Sequence, residues 1–338
     1  MKGFISTLTS ARQRTAGWTA ALAILLSACS SSPDIDTAYT IPPSVPHTDK
    51  PFLNSPDDFQ FVVVSDRTGG HRPGVFEQAM DKINLLQPEF VMCVGDLIEG
   101  YTSDLGVLNA QWDELDAMVD KLQMPFFFTV GNHDISNDVM RELWQKRLGR
   151  DYYHFIYKDV LFISLNTEDP PVPLGERELA GQERLLKMMA QDPEGTQKML
   201  LERSKPRVAG EAKPQPSEVA IGNQQVRYVQ QVLADNTEVR WTIVFMHKPA
   251  WETDNQQFRE IETLLSDRPY SVIAGHEHYY IYTRRFGRDY LDLGTTGGIW
   301  INQGPGNMDH ITWITMTDEG PVFANIRLDG LMDKHGPQ

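Results

Sequence analysis

Five short polar blocks carry the residues that could do chemistry. They read Ser65-Asp66-Arg67-Thr68, Gly95-Asp96-Leu97, Gly131-Asn132-His133-Asp134, Met246-His247-Lys248 and Gly275-His276-Glu277-His278. Together they offer Asp66, Asp96, Asn132, His247, His276 and His278. Carboxylate and amide oxygens combined with imidazole nitrogens suit two divalent ions of the Mn, Fe, Zn, Ni or Co kind. An Asp after a strand is common, so one block would mean little; all five in this order are a strong signal. His276 and His278 stand two residues apart, so an extended loop could turn each toward a different ion.

These donors need elements that bring them together. The blocks follow runs of largely β-branched and aromatic residues. Phe59–Val64, Phe90–Val94, Pro125–Val130, Trp241–Phe245 and Tyr270–Ala274 read as buried strands. Helices are predicted over 74–87 and 108–122, so a strand–loop–helix unit recurs with a polar block after each strand. Open α/β sheets bind ligands at that carboxyl edge. Further strands are expected at Tyr153–Tyr157, Val160–Asn166, Tyr290–Leu293, Ile311–Met316 and Val322–Leu328, and helices over 223–234 and 255–266. Residues 168–222 are rich in Pro and charge, with one short helical patch near 181–190. They read as an insertion long enough to be a lid.

At this point the chain resembles the calcineurin-like metallophosphoesterase superfamily, over about residues 58–328. That pattern runs Asp-x-His, Gly-Asp-x-x-Asp, Gly-Asn-His-Asp/Glu, His and Gly-His-x-His. The resemblance implies a four-layer α/β/β/α sandwich of two mixed sheets flanked by helices. It implies two metal ions, the first held by Asp66, Asp96 and His278, the second by Asp96, Asn132, His247 and His276. A water between them would attack phosphorus in a phosphate mono- or diester. His133 would serve the leaving oxygen or a phosphate oxygen, and Asp134 could orient its imidazole.

Two departures stand in the first two blocks. Thr68 occupies the place of a His, so the first ion loses a nitrogen ligand. The Thr68 hydroxyl or a water could replace it, His71 could swing in, or the site could be weak. Glu99 stands where an Asp is usual and could bond a ligand or a metal water. Arg67 and Arg72 flank the loop and could clamp phosphate oxygens or form ion pairs. Trp251, Tyr279, Tyr280, Tyr282 and Trp300 could rim the site or pack in the core. His154 and His310 read as structural.

The 338-residue chain carries a formal charge of −15. That argues against long nucleic acids, which need clustered cations, and leaves a small phosphorylated substrate, because bound metals invert the local field. Residues 1–28 hold Lys2, Arg12 and Arg14, no acid, and an apolar stretch too short to span a bilayer. They read as a signal peptide. Leu26-Ser27-Ala28-Cys29 resembles the bacterial lipobox, which implies lipidation of Cys29 and a membrane anchor in the cell envelope. Ser30 in place of Asp points to the outer membrane. Residues 29–57 then form a flexible tether, and 329–338 a C-terminal tail. The rival expectation is a non-catalytic lipoprotein with a degenerate first metal site.

Overall fold

Each central strand is apolar on both faces, and that alone forces a layered fold. In β1 (Phe59–Val64), Phe59, Phe61 and Val63 face one core while Val62 and Val64 face another. In β5 (Val160–Ser164), Val160 and Phe162 join that same first core, while Leu161 and Ile163 enter a third. The shared core therefore lies between two sheets, and the other two lie beneath helices. The fold is the expected α/β/β/α sandwich. The structure, a computed structural model, describes residues 55–206 and 218–335, together with 46, 48, 50 and 53. The signal peptide and Cys29 lie outside the described residues. No helix among the described residues is long and apolar enough to cross a membrane.

The first sheet contains β1, β2 (Phe90–Cys93) and β3 (Phe126–Phe127), with β10 (His310–Thr317) and β11 (Gly320–Arg327), in the order β11-β10-β1-β2-β3. β1, β2 and β3 are parallel; β10 runs antiparallel to β1. The second sheet contains β4 (Tyr153–Tyr157), β5, β6 (Trp241–Phe245), β7 (Tyr270–Ala274), β8 (Ile281–Arg285) and β9 (Arg288–Asp292), in the order β4-β5-β6-β7-β9-β8. β5, β6, β7 and β9 are parallel. Parallel alignment puts the carboxyl ends of β1, β2, β6 and β7, with their polar blocks, on one edge.

Helices α1 (Val75–Leu86), α2 (Leu105–Val119) and α3 (Asp138–Arg147) cover the first sheet. The sequence pattern does not predict α3, whose apolar residues are Val139, Met140, Leu143 and Trp144; its start is set by Asn137, which accepts from the Met140 amide. Residues 168–222 hold more helix than expected: α4 (Glu176–Gln191) and α5 (Pro193–Arg203). Pro193 opens α5 at its first turn, where its missing N–H costs nothing, and Asp192 caps the Gly195 amide. Read along the sequence, that proline looks like a breaker. Helices α6 (Asn223–Asp235) and α7 (Gln256–Leu265) cover the second sheet.

His310 begins β10 and is fully buried. Its Nε2 accepts the Gly294 amide at 2.9 Å, so the ring must stay neutral. Burial lowers its pKa to about 4, well below the ordinary imidazole value. A depressed histidine contributes stability that is complete above about pH 6.5 and is lost as pH falls to about 4. The shift is worth about 3 kcal/mol. Urea unfolding across that range should show this loss in the wild type and not in His310→Gln; equal slopes would refute it.

Candidate metal centre

Two groups of donors meet at the shared edge. Asp96, His247 and His276 each place a ligand atom within 4.8 Å of the others, and so do Asp66, Asp96 and His278. Asp96 belongs to both. The six donors expected from the sequence are thus brought together, with Asn132 Oδ1 3.0 Å from His247 Nε2.

The backbone aims each ring. A carbonyl can only accept, so His247 Nδ1 carries the proton that bonds Val94 O at 2.8 Å. Its Nε2 then points inward, 3.1 Å from Asp96 Oδ2 and 3.1 Å from His276 Nδ1. His278 Nδ1 likewise donates to Ile299 O at 2.5 Å, leaving Nε2 3.3 Å from Asp66 Oδ1. Asp66 is fixed by the His276 amide, at 3.0 Å, and by the Ser65 hydroxyl. Donors ~2.1 Å from one ion and at right angles stand about 3 Å apart, so these separations fit divalent ions.

This convergence is held under backbone constraint. Asp96, His276 and His278 have φ of 56°, 76° and 49°, a left-handed conformation that side chains seldom adopt. Such residues persist where their surroundings over-determine them, often at functional sites. Close approach also requires glycine: a Cβ on Gly275 would lie 2.5 Å from Asp66 Oδ2, and one on Gly131 would strike the Asp96 carboxylate.

The electrostatics favour a cation. Burial alone would raise the Asp96 carboxyl, but the His247 and His133 imidazoles hold it well below the usual carboxylate range. Burial alone would lower His247, but Asp96 raises it to about 10. Burial, together with the His247 charge, holds His276 well below its ordinary value, which keeps a lone pair available.

His133 stands where expected, with Nε2 4.0 Å from Asp96 Oδ2. Its tautomer is set by Glu99 O, which accepts from Nδ1 at 2.8 Å. Asp134, contrary to expectation, does not orient this ring. Its carboxylate turns inward and accepts from the amides of Asp96, Leu97, Ile98 and Gly131. It therefore shapes the loop that presents Asp96.

Other flanking residues are also corrected. The Thr68 hydroxyl does not face the donors; it donates to Asp96 O and Ile98 O. His71 does not swing in: its Nδ1 lies 3.5 Å from Glu99 Oε1, and it belongs to neither donor group. The Glu99 oxygens accept the Gly70 and His71 amides and so close the turn after Thr68. Arg67 is no phosphate clamp; it is buried against Leu97 O and Glu114. Arg72 is engaged by Gly298 O and Asp309 and lies over Trp300. Thr68, His71, Arg67 and Arg72 each meet a nearby carbonyl or carboxylate, and Glu99 meets two backbone amides. Trp251 packs in the core, edge-on to Tyr290.

Two features were not foreseen. Tyr101 accepts Asn132 Nδ2 at 2.8 Å and meets the His133 ring edge-on. That bond orients the amide with Oδ1 toward His247. Tyr101→Phe is expected to weaken binding of one ion about 10-fold, the usual scale for a partner behind a ligand; an unchanged metal titration would refute it. No sequence signal marks Tyr101 beyond its place five residues after Asp96. The other is Lys248, next to His247, whose Nζ bonds Glu168 Oε2 at 2.8 Å and Glu218 O at 2.9 Å. A cleft of about 780 Å³ lies away from the donors, between the start of α1 and α5.

The model of the calcineurin-like phosphoesterase family matches residues 59–280. No curated protein matches the chain. Among solved structures, it is similar to a dimetal phosphatase from Danio rerio, with 12% identity and a TM-score of 0.51, over 79% of this chain and 98% of that one. It is similar to the purple acid phosphatase PPD1 from yellow lupin (Lupinus luteus) seeds, with 13% identity and a TM-score of 0.55, over 81% of this chain and 52% of that one. PhoD gives 12% identity and 0.51, over 79% and 68%. At such identities the likeness is one of fold.

Proposed function

The chain belongs to the calcineurin-like phosphoesterase family, and from that premise we propose that it hydrolyses a small phosphate ester with two divalent ions bound. The observation that carries the reading is the pair of donor groups sharing Asp96. Asp66, Asp96 and His278 would hold one ion; Asp96, Asn132, His247 and His276 the other. When bound, the ions would lower the pKa of a water between them and polarise the phosphoryl oxygens.

The chain's own residues supply the rest. His133, with Nδ1 committed to Glu99 O, presents Nε2 to a phosphate or leaving oxygen. Asp96 Oδ1 accepts the His133 amide at 2.9 Å, which ties that ring to the carboxylate shared by both donor groups. Tyr101 and the backbone carbonyls of Val94 and Ile299 keep the donors aimed inward.

The test is metal analysis alongside a panel of monoesters, diesters and pyrophosphates, with Mn, Fe, Zn, Ni and Co each supplied. About two ions per chain and turnover of at least one ester class are expected. One tightly held ion with no turnover throughout would replace this reading with that of a binding protein.

A place in the cell envelope is part of the proposal, supported by Leu26-Ser27-Ala28-Cys29. Lipid labelling should be lost in Cys29→Ser; equal labelling of both proteins would overturn the anchor.

A further inference from the structure

The helical insertion reaches the back of the donor cluster. It is attached beside His247, where Lys248 Nζ holds Glu168 at one of its ends and Glu218 O at the other. Its helix α5 then docks on the segment 298–303. Gln197 of α5, 7% exposed, reads the Trp300 backbone with both ends of its amide. Its Oε1 accepts Trp300 N–H at 2.8 Å, and its Nε2 donates to Trp300 O at 2.9 Å. Gln303 Nε2 returns the contact by donating to Ser204 O at 3.0 Å. One residue before Ile299, Arg72 donates to Gly298 O through Nε and NH2.

Ile299 stands between these two clamps, and its carbonyl is the group that holds His278 Nδ1. A carbonyl fixed on both sides keeps the imidazole from turning about its own bonds. This matters more here than in a site with four strong donors. The group around Asp66 has three, because the Thr68 hydroxyl is spent on Asp96 O and Ile98 O. The direction of His278 Nε2 therefore decides whether that group can close on an ion.

We infer that Gln197 is a positioning residue for His278, and that the insertion braces the depleted first donor group from behind. The clamp on Trp300, Ile299 O and His278 Nδ1 form one continuous chain of hydrogen bonds and peptide units. The structural part of the inference stands on that chain; its consequence for metal affinity rests on the two-ion reading proposed above.

The test uses the full chain in metal-free form, labelled with 15N-histidine. In the wild type, the Nδ1 protons of His278 and His247 should both give slowly exchanging downfield resonances, because each is bonded to a carbonyl. Gln197→Met keeps the length and removes both hydrogen bonds. It should broaden the His278 signal or speed its exchange and leave the His247 signal, held by Val94 O, unchanged. Gln197→Glu keeps an acceptor for Trp300 N–H and should fall between. Titration with Mn2+ should then show one ion bound about 10-fold more weakly in Gln197→Met.

An unchanged His278 signal would overturn the inference. So would equal disturbance of both histidines with a fall in thermal stability, which would mean general loosening. If the His278 signal alone changes but the wild type binds fewer than two ions, positioning stands and the two-ion reading fails.

Discussion

Asp96→Ala is expected to lower kcat/KM by about 10³-fold or more and to strip bound metal from the protein. Asp96 is the one donor common to both groups, so its loss opens both at once. A 10³-fold loss corresponds to about 4 kcal/mol of transition-state stabilisation, a modest demand for a carboxylate between two ions. Asp96→Asn is the control for folding. Its amide oxygen can still accept the His133 N–H that Asp96 Oδ1 accepts, so the loop should keep its shape while the shared charge is gone. Both variants should therefore lose metal and turnover, and Asp96→Asn should unfold near the wild-type midpoint. Near-normal turnover in either would sink the mechanism.

Asp134→Ala should act on stability instead, with a loss of at least ~4 kcal/mol. Four backbone amides converge on this carboxylate. Each buried amide left unpaired costs about 1–3 kcal/mol. Even if water recovers part of that, the remainder is a large share of the 5–15 kcal/mol typical of a folded domain. Asp134→Asn should rescue little. Each carboxylate oxygen serves two amides, and an NH2 group in place of either would face donors with a donor. Urea midpoints of the three proteins settle the matter. A variant as stable as the wild type but inactive, with a shifted pH–rate profile, would restore Asp134 to a role beside His133.

These two aspartates show what could and could not be read along the chain. Asp96 follows an apolar strand in a strand–loop–helix unit, so its place at a sheet edge was legible. Asp134 lies in an equally polar block, next to a histidine, and looked catalytic for that reason. Its actual direction comes from the left-handed turn at Asp96, φ 56°, which gathers the amides of residues 96–98 toward it. The same holds for Arg67 and Thr68. Their own amides both donate to Asp96 O, and this rolls their side chains into the protein.

The sequence by itself determined the family and the six candidate donors, because apolar strand runs and polar blocks are local patterns and parallel strands carry those blocks to one edge. It also determined the layers, since strands apolar on both faces must be covered on both. Only the tertiary structure decided which of the neighbouring polar residues turn toward the donor cluster and which toward the loops. In irregular backbone, side-chain direction follows φ and ψ, and here those are set by hydrogen bonds between segments far apart in sequence. Thr296 N–H on Asp66 O, His276 N–H on Asp66 Oδ1 and Trp300 N–H on Gln197 are three such bonds. No window of neighbouring residues contains both partners of any of them.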